Sequence, residues 1–216
     1  MKAKLFSQWE IIPIFIILAV MALAVFLYPQ LPDQIPSHWN INGDIDAWSS
    51  KNFAVSFFPA LIIAVYALMS GLIFLDPMRK NIESFSFIYF WMKTGVVLFL
   101  SFIYIITLLV GMGYEINVAR MIILGIAALF LLFGLVMPEI KKNYMVGIRL
   151  PWTLHSEKVW NKTHKFGGKL FIALGIIMAA AYFLPVVYSF WILIGGIILM
   201  LVALVIYSYL EYKKEK

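Results

Sequence analysis

The chain has no cysteine among its 216 residues. That excludes disulfide staples, thiolate metal sites and cysteine nucleophiles, and it leaves the redox compartment without a trace. Charge is also scarce. Asp, Glu, Lys and Arg make up 13% of the sequence, against about 25% in a soluble domain. At 63% hydrophobic residues the chain is neither disordered nor collagen-like. What it has in abundance is apolar and aromatic: 18 Phe, 11 Tyr and 7 Trp, with a mean hydropathy of +0.94. Bilayer-embedded helices with interfacial anchors use these residues, so the chain reads as an integral membrane protein.

A spanning helix needs about 20 mainly apolar residues. Six stretches meet or approach this: Ile11–Tyr28, Phe53–Leu75, Thr94–Tyr114, Met121–Met137, Leu170–Tyr188 and Phe190–Leu210. The last two touch at Ser189, and Pro185 supplies the break that makes them a tight helical hairpin. The fold class is therefore an all-α bundle of six transmembrane helices. Ala22-Leu23-Ala24 offers a small-x-small cleavage site. However, the apolar run continues through Phe26 and Leu27, so the first span reads as retained. Ser84–Trp91 reads as an aromatic, interfacial lead-in to the third span. Lys93 then falls at the membrane boundary, where a lysine snorkels. Its alternative is a buried ionisable residue on an ion pathway.

Orientation follows from the short loops. With six spans the termini share a side, and that side holds 15 of the 17 basic residues, including Lys2, Lys4 and Lys216. Only Lys51 and Arg120 lie opposite. The chain is thus expected in the cell membrane as a multi-pass protein with both termini cytoplasmic. The net charge of +6 is a topology signal and implies no direct contact with nucleic acid.

Two loops differ from the lipid-facing remainder. The external loop, Pro29–Asn52, opens with Pro29, Pro32 and Pro36, which favour extended backbone. Asn42-Gly43 is the strongest short hairpin signal, so a small extracellular Pro-rich β-hairpin is expected. Trp39, Ile41, Ile45 and Trp48 then dip into the interface, while Asp33, Asp44 and Asp46 face water. Aligning Gly43 with the glycine of a calcium loop puts His38 and Ser49 where acidic ligands belong, so that match fails. His38 with Asp44 and Asp46 has zinc donor types at no demanded spacing, and no metal or other cofactor is expected. The hairpin reads either as a polar closure of the outer face or as a recognition surface, which exposed Trp and His with few lysines favour.

The cytoplasmic loop, Pro138–Lys169, is too long for a mere connector. Leu150-Pro151 opens a turn, Thr153 reads as a helix N-cap, and Gly167-Gly168 reads as the segment's end. Between them Lys158, Lys162, Lys165 and Lys169 recur at helical spacing. They form a basic amphipathic helix between spans four and five, suited to anionic headgroups. Trp160 and His164 lie on a neighbouring face. Arg149 beside Trp152 has the makings of an anion clamp with cation–π support. His155 and His164 stand about two helical turns apart, too far to share a metal. There is no Ser-x-x-Lys, HExxH, P-loop or G-x-S-x-G, so the chain does not read as an enzyme.

The loops carry a family resemblance. Leu31-Pro32-Asp33-x-Ile35-Pro36-x-His38-Trp39-Asn40-x-x-Gly43-x-x-Asp46, ending at Lys51, resembles the small uncharacterised membrane domain that often precedes the SdpI domain. Asn143-x-x-x-Gly147-Ile148-Arg149-x-Pro151-Trp152-Thr153-Leu154, continuing to Val159-Trp160-x-x-Thr163-His164-x-x-Gly167-Gly168, resembles the SdpI signature itself. The resemblance implies a two-span unit over 1–75 and a four-span unit over 76–216. It also implies a bacterial immunity protein that protects its cell from a secreted, membrane-active peptide toxin. When toxin-bound, such a protein holds a cytoplasmic helix-turn-helix autorepressor at the membrane. Toxin recognition then falls to Pro36, His38, Trp39, Asn40, Gly43, Asp46 and Lys51. The partner-facing signature is Asn143, Gly147, Arg149, Pro151, Trp152, Thr153, Trp160, His164, Gly167 and Gly168, with the four stripe lysines on lipid. The alternative is a small transporter or ion-conducting protein gated by Lys93 with Glu115 or Arg120. A third reading, a membrane-bound enzyme, would use His38 or His164.

Overall fold

The structure is a computed structural model and describes residues 8–215. The basic residues Lys2, Lys4 and Lys216 lie outside the described residues. The protein is an all-α membrane bundle with six helices long and apolar enough to cross a bilayer. These are α1 (Ile11–Leu27), α2 (Lys51–Leu72), α4 (Ser86–Gly111), α5 (Val118–Val136), α7 (Glu157–Ala181) and α8 (Val186–Lys213). Two short helices, α3 (Arg79–Ser84) and α6 (Pro151–His155), one hairpin, β1 (Gln34–Trp39) with β2 (Ile45–Ser50), and four three-residue 3-10 turns complete the described elements. α4 is the central helix. It packs on α1, α2 and the hairpin on one side and on α5 on the other, while α7 lies between α5 and α8.

Three boundaries depart from the hydropathy reading. α4 begins at Ser86, so the aromatic lead-in from Ser86 to Trp91 is helical and continuous with the third span, while Ser84 ends α3. α7 runs from Glu157 through Gly167 and Gly168 to Ala181. The basic amphipathic helix is therefore the first part of the fifth span. Gly167-Gly168 do not end it, because their role is close packing against α5 and the loop. The turn between α7 and α8 falls at residues 182–185, with Pro185 at the start of α8. Ser189 is buried there and donates to the carbonyl of Ala181 at 2.7 Å.

Inside lipid no water competes for polar groups and no hydrophobic force drives helix onto helix, so small residues and internal pairing must hold the bundle. α5 and α7 meet through glycines. A Cβ on Gly168 would lie 2.7 Å from the Gly134 carbonyl oxygen, and one on Gly134 would lie 2.8 Å from that of Gly168. Gly175 lies as tightly against Leu131.

The first two spans are held to α4 by a buried ion pair. Lys93 Nζ lies 2.8 Å from Glu10 Oε1 and donates to Ser70 Oγ at 3.1 Å. Tyr66 donates to the other Glu10 oxygen at 2.7 Å, and the ammonium sits 5.3 Å from the Tyr66 ring and 5.5 Å from that of Tyr89. Lys93 is 1% exposed. The snorkelling expectation is thus corrected. Because α4 starts at Ser86, Lys93 stands two turns inside it and its ammonium meets Glu10 rather than water.

Removing one partner of a buried pair strands the other charge, which costs roughly 3–5 kcal/mol. Lys93→Met or Glu10→Gln alone is expected to lose about that much stability in a denaturant titration in micelles. The Glu10→Gln/Lys93→Met double variant is expected to recover most of it.

Candidate functional sites at the two ends of the bundle

At one end the hairpin folds back onto the helices. Its strands pair antiparallel from Gln34 opposite Ser50 to Trp39 opposite Ile45, with irregularities around His38. The turn sits one residue earlier than Asn42-Gly43: the Gly43 amide donates to the Asn40 carbonyl at 2.9 Å, which centres the turn on Ile41-Asn42 within a loop spanning residues 40–44. Asn40 Oδ1 accepts from the amides of Asn42 and Asp44 at 2.9 and 3.0 Å. Gly43 has φ +89°, a left-handed conformation that glycine adopts without strain, and its open side rests against Ala119 and Asn117 at the start of α5.

Ile35 is fully buried and packs on Gly111, where a Cβ would come within 3.2 Å of it. Pro36 is buried beside it. Lys51 secures the base: it pairs with Asp33 at 3.0 Å and lies over the Tyr28 ring. Among the residues expected to recognise a ligand, Pro36, Gly43 and Lys51 therefore shape the hairpin. His38, Trp39, Asn40 and Asp46 line an open cavity of about 490 Å³ between the hairpin, α5 and α8. His38 Nδ1 lies 2.5 Å from Asp46 Oδ1, whereas Asp44 turns toward Asn40. Among the described residues no three His, Asp or Glu side chains are grouped to hold a metal ion. Trp48, Ile41 and Ile45 are exposed.

At the other end the signature residues build a cradle. Asn143 is fully buried. Its Nδ2 donates to the carbonyls of Lys141 and Val146, and its Oδ1 accepts from the amides of Met145 and Val146. One side chain thus folds the loop on itself. Gly147 has φ +115°, and a Cβ there would lie 2.4 Å from His164 Nε2, so only glycine fits. That nitrogen accepts from the Ile148 amide at 3.0 Å, while His164 Nδ1 lies 2.9 Å from the Trp160 carbonyl. The bonding pattern assigns the proton to Nδ1.

The Trp160 and His164 rings stack at 4.1 Å, and Trp160 Nε1 donates to the Ile140 carbonyl at 2.7 Å. Both residues are fully buried and bonded to the backbone of the loop. Gly167 admits the Ile148 side chain and Gly168 admits α5 and Pro138.

Thr153 is not an N-cap. Its Oγ1 accepts from Leu150 N at 2.8 Å and lies within donating distance of the Ile148 carbonyl, closing α6 onto the loop. The cap of α7 is Ser156, which accepts from Val159 N. Trp152 donates to Ser208 at 2.6 Å and packs on Tyr209. Arg149 donates to the Tyr144 carbonyl at 2.5 Å. The two do not converge on a common point, so each serves a different neighbour instead of one anion. Arg149, Pro151, Tyr144 and His155 remain exposed. Of the stripe lysines, Lys162 pairs with Glu211 and Lys158 reaches Glu215 at 3.9 Å; Lys165 and Lys169 are exposed.

Sequence reasoning missed Asp76. It is 4% exposed and accepts from Met78 N at 2.7 Å and from Tyr144 N at 2.8 Å. Asn81 adds a bond to the Lys142 carbonyl at 2.7 Å. These contacts join the connection after α2 to the signature loop. No spacing pattern announces a contact across 68 positions.

A six-helix multi-pass membrane protein with a folded hairpin at one end and an asparagine–histidine–tryptophan cradle at the other is the class these features define. The profile of the SdpI/YfhL protein family matches residues 139–208, and that of a domain of unknown function, DUF1648, matches residues 14–63. The chain is 30% identical over 205 residues to the Immunity protein SdpI of Bacillus subtilis (strain 168), covering 95% of this chain and 96% of that one. The chain belongs to the SdpI family. No solved structure matches it.

The cradle predicts a specific lesion. His164→Phe keeps an aromatic ring but strands the part-buried Ile148 amide, which costs roughly 1–3 kcal/mol. Hydrogen exchange at Ile148 is expected to accelerate about tenfold or more, each 1.4 kcal/mol being a factor of ten. Gly147→Ala, which also forces a strained φ, is expected to do the same.

Proposed function

We propose that this protein is an immunity protein of the cell membrane that protects its host from a secreted, membrane-active peptide toxin. The toxin is met at the hairpin end by His38, Trp39, Asn40 and Asp46. Pro36, Gly43 and Lys51 hold that surface in shape. The observation that carries this reading is the similarity to an immunity protein along nearly the whole chain. The role needs no catalytic group, only a surface for the toxin.

The hairpin end faces outward in this reading and both termini face the cytoplasm, which the 15 basic residues assigned to the terminal side support. The inner end then holds a helix-turn-helix autorepressor at the membrane when toxin is bound. Arg149, Pro151 and Tyr144 form the exposed rim for that contact. The buried Asn143, Thr153, Trp160, His164, Gly167 and Gly168, with Gly147 at its left-handed turn, keep the rim in place, and Trp152 anchors it to α8. Lys165 and Lys169 meet anionic headgroups, an attraction worth about 1 kcal/mol per lysine.

Cells expressing the protein are expected to survive the peptide encoded beside it, and Trp39→Ala is expected to lower that survival. Failure of the intact protein to protect against any co-encoded secreted peptide overturns the reading. Because the chain has no cysteine, single-cysteine labelling has no background. Asn42→Cys is expected to react with an impermeant maleimide on intact cells, and Lys141→Cys only after lysis. The reverse pattern overturns the orientation.

A further inference from the structure

The cavity beneath the hairpin has walls that neither loop motif contains. One wall is a single face of α5, with Ala119, Ile122 and Ile126 at helical spacing. The opposite wall is a single face of α8, with Val186, Phe190 and Leu193. The roof is the hairpin, whose His38–Asp46 pair and Asn40 bring the polar groups. Its volume, about 490 Å³, matches a small-molecule pocket. It therefore has room for the side chains along one face of a helix and leaves the helix backbone, about 10–12 Å across with its side chains, outside. This is an apolar trough with a polar edge, open rather than sealed.

Charge at this end has one sign in excess. Asp33, Asp44, Asp46 and Glu115 stand against Lys51 and Arg120. Lys51 is engaged by Asp33, and Arg120 lies over the Tyr182 ring, 6.0 Å from its centroid. Asp44 and Asp46 sit on the exposed hairpin without a lysine or arginine within ion-pair distance among the described residues. An occupant that suits both features has an apolar face for α5 and α8 and positive charge for the hairpin carboxylates.

We propose that the trough is a binding site for a cationic amphipathic peptide helix, seated with its apolar face between α5 and α8 and its basic residues against Asp44 and Asp46. This rests on the immunity reading for the peptide's origin and names its chemistry: basic, one-sidedly apolar and delivered along the membrane surface. The site belongs to both halves of the chain. The hairpin alone cannot bind, because two of its three walls come from helices more than 70 residues further on.

The test uses the full chain in phosphatidylcholine nanodiscs and a dansyl-labelled amphipathic helix of leucine and lysine. A matched helix with glutamate in place of lysine is the control. Saturable, protein-dependent binding of the lysine helix and none of the glutamate helix is the expected result. Ile122→Trp and Leu193→Trp fill the trough from separate walls, and each is expected to weaken binding about tenfold or more, as loss of a buried anchor does. Asp44→Asn with Asp46→Asn leaves the trough open and is expected to weaken binding while keeping the fold.

Equal binding of both helices, or binding undiminished in both filled variants, overturns the proposal. So does quenching of Trp39 by bromine-labelled lipid chains that the lysine helix fails to relieve, since an acyl chain is then the occupant. Cells protected equally by intact and filled protein overturn the trough as the toxin site and leave immunity standing. Unprotected cells with the intact protein overturn immunity, while the nanodisc titration still decides the trough.

Discussion

The backbone contact between α5 and α7 is the constraint on which the loop end of this protein depends. Gly134 and Gly168 bring two carbonyl oxygens and two α-carbons to a separation that no side chain permits. The approach fixes where α5 ends relative to α7, and Pro138 comes to rest on Gly168 as the chain leaves the span. From there Ile140 falls within reach of the Trp160 indole and Asn143 closes the next turn. Everything that holds Ile148 against His164 follows from that starting point. In a bilayer this economy is natural, since close packing replaces the hydrophobic drive that a soluble protein would use.

The spans were legible because their signal is thermodynamic and local: about 20 apolar residues in a row need no knowledge of neighbours. The hairpin was legible for the same reason, its turn being signalled by Asn42-Gly43, one residue past its centre. Gly167-Gly168 misled because a glycine pair has two meanings. In a soluble helix it marks an end, whereas among membrane helices it marks a contact, and only the partner helix tells the two apart. Lys93 misled for a related reason. Its protonated amine is affordable inside the bundle only because Glu10, 83 positions earlier, supplies the opposing charge, and no window of sequence contains both.

The candidate sites divide in the same way. The signature residues were all found from the sequence, but their part in the structure was not. Trp160 and His164 look like recognition residues in a list and are fully buried. Thr153 looks like a cap and closes a turn instead. At the other end, the sequence draws attention to His38, Trp39 and Asp46, which line the cavity, while Ile122, Phe190 and Leu193, which line it too, carry no signal. Leucine, isoleucine and phenylalanine on a span are what lipid contact also requires, so composition carries no mark of the cavity they line. Asp76 was missed because a lone carboxylate between two helices looks like an ordinary loop residue until the amide of Tyr144 appears beside it.

Asp76 also bears on how such a chain can vary. It lies where the sequence passes from one matched segment toward the other, and its two oxygens are shared between them: one receives the chain just after α2, the other receives the far loop. A hybrid spliced near this position from two divergent parents inherits the carboxylate from one and the loop conformation that presents the Tyr144 amide from the other. A mismatch there leaves a buried carboxyl group with half its partners, a penalty that neither parent shows by itself. Homologous exchange should therefore succeed most readily when both pieces are carried across together.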